Sequence, residues 1–176
     1  MHPMPQANAM NLKHPKSVLL GTSALVCLAL AAPLMADDFV ITSSDGSTNG
    51  NIAFDAIDGG VGGDTVSLGI ALTTTGTNVG IETTGGTNKV TVSEAGSITT
   101  GTGIYAFGIY IYGDSNTATV SGSIETTGAV ALGIYNFGST NTTTVAGSIT
   151  TAGAYADGIY NLGSTNTTTV SEDGSI

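Results

Sequence analysis

The chain has 176 residues, with 26 Gly, no Trp, three basic side chains and 13 acidic ones, for a formal net charge of −10. So few cations exclude a nucleic-acid binder, because neutralising phosphates requires Lys and Arg, and they exclude docking on an anionic membrane surface as well. With aromatics at 6% and charged residues at 9%, large side chains are too sparse for an ordinary two-layer core, and a thin, elongated one is expected.

Lys13, His14 and Lys16 precede an apolar run from Val18 to Ala32, which Pro33 interrupts ahead of Leu34-Met35-Ala36. This is the layout of a secretory signal peptide over residues 1–36, and the run is short for a membrane span. The start is Met1 or Met10, the latter giving a more usual basic region. Cys27, the only cysteine, sits inside the run as an inert apolar residue, since Ala24-Leu25-Val26 lacks the small neighbour of a lipid-modified cysteine. Cleavage near Ala36 leaves all 13 carboxylates, Lys89 as the one basic side chain, and no Cys, His or Arg. Disulfides and a Ser-His-Asp triad are therefore excluded from the mature chain.

Residues 37–55 carry a β-prone run, Phe39-Val40-Ile41-Thr42, and a polar turn cluster from Ser43 to Gly50. They are expected to form an N-terminal cap over the open edge of the first rung.

From Ala56 to Ile176 one frame recurs. Gly108-Ile109-Tyr110 leads through a polar turn to Thr117-Ala118-Thr119-Val120; Gly133 and Gly158 open further copies 25 residues apart. Gly-Ser-Ile follows each copy, at Gly122, Gly147 and Gly174, and earlier units begin at Ala56 and Gly80. The longer interval after Gly80 is absorbed by the turn Ser93-Glu94-Ala95-Gly96 and by Gly101-Thr102-Gly103. A unit of this size cannot bury its own apolar face and must stack on its neighbours. Short β-branched runs between Gly, Asn and Ser turns read as strands, three to a unit. The prediction is an all-β protein, a parallel β-helix (β-solenoid) of about five coils, truncated at its C-terminus within a repeat.

Alternation along a strand assigns faces. Ile109, Ile134, Ile159, Val120, Val145 and Val170 point inward. Tyr110, Tyr135 and Tyr160 then form an outward column, with Tyr112, Phe137 and Leu162 in the next. Asn88, Asn116, Asn141 and Asn166 fall at a turn, where the amide bonds backbone groups or its copy on the next rung.

These motifs, Gly-Ser-x-Asn-Thr-x-Thr-Val alternating with Gly-Ser-Ile and Gly-Ile-Tyr behind a signal peptide, resemble the repeat region of bacterial autotransporter passenger domains. The resemblance covers roughly Ala56 to Ile176. It implies a β-helix carried to the cell surface by a C-terminal outer-membrane barrel, and no barrel-like strands follow the repeats here. The chain reads as an N-terminal fragment, with localisation outside the inner membrane at the cell surface or in the medium.

Sites of chemistry are few. Gly59-Gly60-Val61-Gly62-Gly63-Asp64 fits one copy of a calcium-binding nonapeptide, making Asp64 the sole metal candidate; because later copies carry Asn there, a Gly-rich turn is the preferred reading and no cofactor is expected. Asp55 with Asp58 and Glu172 with Asp173 do not form a carboxylate pair across a substrate. Asn141-Thr142-Thr143 and Asn166-Thr167-Thr168 match a glycosylation pattern only because the repeat contains it. No catalytic residue is assigned, and an enzyme is not expected. The partner-binding candidates are Tyr110, Tyr135 and Tyr160, an exposed aromatic stripe suited to host or neighbouring-cell surface molecules or glycans. The expected function is an adhesive or structural stalk. The alternative is a free-standing secreted binder of glycan or ice, the latter on the regular threonines Thr117 to Thr119, Thr142 to Thr144 and Thr167 to Thr169. An uncapped last rung predicts edge-to-edge self-association.

Overall fold

A computed structural model describes residues 63–176, and residues 38–41 and 52–54 as backbone strands. The signal peptide, Asp55, Asp58 and positions 59–62 of the glycine-rich motif lie outside the described residues.

Fifteen strands follow in order: β1 (Asp38–Ile41), β2 (Ile52–Phe54), β3 (Thr65–Leu68), β4 (Ala71–Thr73), β5 (Ile81–Thr84), β6 (Lys89–Val92), β7 (Ser97–Thr99), β8 (Ile109–Tyr112), β9 (Thr117–Val120), β10 (Ser123–Thr126), β11 (Ile134–Phe137), β12 (Thr142–Val145), β13 (Ser148–Thr151), β14 (Ile159–Leu162) and β15 (Thr167–Val170). They form three sheets: β1-β3-β6-β9-β12-β15, β4-β7-β10-β13 and β2-β5-β8-β11-β14. Every pairing is parallel, and each joins equivalent residues of successive rungs, as in Ile109 beside Ile134 beside Ile159. The chain is a parallel β-solenoid. Against the five coils expected, four complete three-strand coils stand between partial rungs among the described residues. Both strands of the 37–55 segment enter the stack, β1 against β3 and β2 against β5, with Ile52 rather than Ile57 the register partner of Ile81.

The core is narrow, one or two inward side chains per strand. Leu68, Val92, Val120 and Val145 stack inside the first sheet, Leu72, Ile98, Ile124 and Ile149 inside the second, and Ile81, Ile109 and Ile134 inside the third. Each such burial is worth about 1.5–3 kcal/mol. The close fit explains the glycine ahead of β5, β8, β11 and β14: a Cβ on Gly133 would run into the Gly158 carbonyl and the Ile149 side chain.

Polar residues also enter the interior. Asn136 is buried in register with Ile111, and its amide donates to Asn161 Oδ1 at 2.6 Å and to Thr143 Oγ1 at 3.1 Å. The Thr83 hydroxyl, on the same column, is buried without a hydrogen-bond partner.

An asparagine spine holds the corner between the third and first sheets. Asn116, Asn141 and Asn166 each accept, through Oδ1, the main-chain N–H of Asn88, Asn116 and Asn141 on the preceding rung, at 2.7, 2.8 and 2.8 Å. Their Nδ2 groups donate back to Gly85, Gly113 and Gly138 carbonyls at 2.8–3.1 Å. The left-handed residue is the one before each asparagine, Thr87, Ser115, Thr140 and Thr165, with φ of 59–64°. The spine links rungs by amide-to-backbone bonds. The intervals between linked residues are 24, 28, 25 and 25, and the extra length of the second is taken up by the wider turn at Ser93–Gly96 and one added residue in the next corner.

Candidate functional site

The outward face of the third sheet gathers the aromatic side chains. Because Ile109 and Ile111 face the core, Tyr110 and Tyr112 must face out, and parallel register repeats this at Tyr135 with Phe137 and at Tyr160 with Leu162. Two columns result. Tyr110 and Tyr135 stack with centroids 5.2 Å apart and planes 19° apart, and Tyr160 follows at 5.5 Å and 61°. Tyr112 and Phe137 stack at 5.0 Å and 4°. The rings thus stabilise the rungs while leaving edges in solvent; Tyr160 is 42% exposed. Burial first, then the neighbouring Tyr135, Glu82 and Tyr112, raises the Tyr110 phenol above its ordinary value of 10.0. Burial and then Tyr160 raise that of Tyr135.

Sequence reasoning missed what lies beside this column. The corner between the second and third sheets repeats three times, as Tyr105-Ala106-Phe107-Gly108, Val130-Ala131-Leu132-Gly133 and Tyr155-Ala156-Asp157-Gly158. At its tip Tyr105, Val130 and Tyr155 adopt left-handed φ of 63, 54 and 57°. This is an outlier conformation for a β-branched or bulky residue. The tip is held from both sides: Tyr105 and Val130 N–H groups donate to Ala129 and Ala154 carbonyls, while Thr126 and Thr151 hydroxyls donate to Ala131 and Ala156 carbonyls at 2.6 and 3.1 Å. The turn lifts the first side chain outward and buries Ala106 and Ala131, and Phe107 and Leu132 then lie nearly covered.

Phe107 meets Tyr135 edge-on at 5.4 Å and 77°, and meets Tyr110 at 5.8 Å and 60°. A cleft of about 300 Å³ opens here, with tips Tyr105, Val130 and Tyr155 on one side, Tyr135 and Tyr160 on the other, and Phe107, Leu132 and Asp157 along its floor. Asp157 is exposed and occupies the position that the two preceding rungs fill with buried apolar side chains. Tyr155 is 88% exposed. The sequence signal for this cleft was the thrice-repeated x-Ala-x-Gly ahead of Ile-Tyr, with aromatic or aliphatic residues at most x positions.

The other sequence candidates are dispersed. Asp64 is buried at the head of the asparagine spine, its N–H donating to Asn88 Oδ1 at 3.0 Å. Among the described residues no three His, Cys, Asp or Glu side chains gather as metal ligands. Glu172 and Asp173 lie exposed in the turn after β15. The outward threonines Thr117 and Thr119, Thr142 and Thr144, and Thr167 and Thr169 do align in two columns on the first sheet, while Thr143 between them is buried. Lys89 extends one column on β6, where it is exposed. No family model, curated protein or solved structure matches the chain.

Proposed function

We propose that this chain is part of an exported, non-enzymatic surface protein built like an autotransporter passenger, in which the β-solenoid is a stalk and the third-sheet aromatic face makes contact with surface molecules of another cell. The single observation carrying this reading is the in-register column Tyr110, Tyr135 and Tyr160, outward on three consecutive rungs. An aromatic stripe on a rigid scaffold offers large contact area at low conformational cost. Beads coated with the full chain should be retained on cells or glycan-coated surfaces. Replacing all three tyrosines by alanine should cut retention by about tenfold, the loss of roughly 1.4 kcal/mol of binding, with strand content unchanged by circular dichroism. Equal retention of the variant would overturn the reading, and so would cleavage of a polysaccharide by the wild type. Export is tested separately: residues 1–36 fused to a reporter active only outside the cytoplasm should switch it on.

A second reading rests on the paired threonine columns of the first sheet, whose flat, regular spacing suits ice binding. It requires thermal hysteresis that Thr144→Tyr abolishes, and wild type without hysteresis removes it.

A further inference from the structure

The cleft beside the tyrosine column has a composition that selects one kind of guest. We propose that it binds a quaternary ammonium group. This deepens the reading of the third-sheet face as a contact surface and rests on it.

Charge sets the sign. Asp157 is the only ionisable carboxylate lining the cleft, and no cation lines it; Lys89, the one Lys or Arg among the described residues, is on the first sheet. An anionic guest is therefore repelled. The rings add to this attraction, because the face of an aromatic ring carries the negative part of its quadrupole and draws a cation lying within about 6 Å. One face of Tyr135 is taken by Tyr110, stacked at 19°, and Phe107 and Tyr160 meet Tyr135 at 77° and 61°, so the ring surface left for the guest is that of the more exposed Tyr155 and Tyr160. Tyr155 is the most exposed of the large apolar side chains among the described residues.

Hydration selects among cations. A primary ammonium carries three N–H donors that lose water on entry, and the cleft offers one carboxylate and scattered phenol oxygens to replace it. A quaternary ammonium has no donor to satisfy. Its positive charge is spread over methyl groups, which Val130 and Leu132 can touch without penalty. A neutral sugar would want several converging polar side chains, and the lining supplies few beyond its phenols.

The wall is also built at a cost. Three residues at equivalent positions on successive rungs are held in left-handed backbone, Val130 among them, where glycine would be relaxed. Side chains kept on these tips put Tyr105, Val130 and Tyr155 in the lining of the cleft. Left-handed φ recurs also at Thr87, Ser115, Thr140 and Thr165 on the asparagine corner; the corner beside the cleft differs in carrying bulky apolar side chains there.

The test is titration of the full chain with tetramethylammonium and with choline, followed by tyrosine fluorescence and by calorimetry. Saturable binding is expected, and the neutral tert-butyl isostere of choline should bind at least about tenfold more weakly, since it keeps the shape and loses the charge. Asp157→Asn, at an exposed position, should weaken choline several-fold and flatten its salt dependence. Tyr155→Ala should weaken it by about tenfold or more. Equal affinity for the isostere, saturable binding of maltose in place of choline, or no saturable signal would each overturn the proposal. Sedimentation with phosphatidylcholine vesicles, compared with free choline, separates a lipid headgroup from a soluble source: vesicle binding blocked by choline assigns the headgroup, and choline binding without vesicle binding assigns a solute or a decorated polymer. If Tyr135→Ala abolishes cell retention while the wild type ignores choline, this proposal fails and the adhesive reading stands.

Discussion

Asn141 carries four bonds, two from its side-chain amide and two from its backbone. Its Oδ1 completes the buried N–H of Asn116, its Nδ2 reaches the Gly113 carbonyl, and its own N–H and C=O join the next rung at Asn166 and Thr167. Replacement by alanine keeps the last two and orphans the first two. Unpaired buried backbone groups cost about 1–3 kcal/mol each, so Asn141→Ala should lose roughly 2–4 kcal/mol in urea denaturation; an unmoved midpoint would show that the spine is not holding the corner. The phenols of Tyr110 and Tyr135 add a pH term. Both are raised above 10.0 in the fold, so the unfolded chain loses these protons first. Their contribution to stability is complete below the ordinary tyrosine range and is lost as pH rises through the folded-state values. Melting temperature should therefore fall above about pH 10, and Tyr110→Phe with Tyr135→Phe should soften the fall.

A single strand shows what alternation can and cannot say. In β11, Ile134 faces in and Tyr135 faces out as the pattern required. Ile134→Asp would bury a lone charge in a narrow core and should cost several kcal/mol or unfold the chain, read by thermal melting. Gly133→Ala tests the other half of the fit, because the added methyl meets the Gly158 carbonyl, which is backbone and cannot step aside; it too should be strongly destabilising, whereas a neutral result would mean that the rungs sit farther apart. Strands, faces, the spine and the tyrosine column were legible because period-2 alternation and a fixed repeat both write themselves into the residues. The polar interior at Asn136 was legible in position but not in character, since the column runs Thr83, Ile111, Asn136 and Asn161 and asks the amides to satisfy each other. The corner at Tyr105, Val130 and Tyr155 was not legible. Left-handed valine contradicts local preference and is held by the backbone ladder between rungs together with the Thr126 hydroxyl, so the repeated x-Ala-x-Gly marked where a corner falls but not that its tips wall a cleft.

At the scale of the molecule, strands of the described residues pair only between adjacent rungs, so stability is a sum of rung energies and rung-to-rung interfaces. Openings should therefore begin at exposed rungs. Val145 is fully buried and Val170 is 44% exposed, and all of β15 is exposed. Native-state amide exchange should be slowest in β9 and β12 and much faster in β15. Uniform protection along the stack would mean one cooperative unit instead.

The asparagine spine has a consequence for how such a rod changes length. Each asparagine finishes the corner of the rung before it and offers an identical vacancy to the one after. An in-frame duplication or deletion of a whole 25-residue period thus leaves both flanking rungs with the same donor and acceptor that they had lost. Genetic drift in repeat number can lengthen or shorten the shaft while the joints between its pieces stay the same.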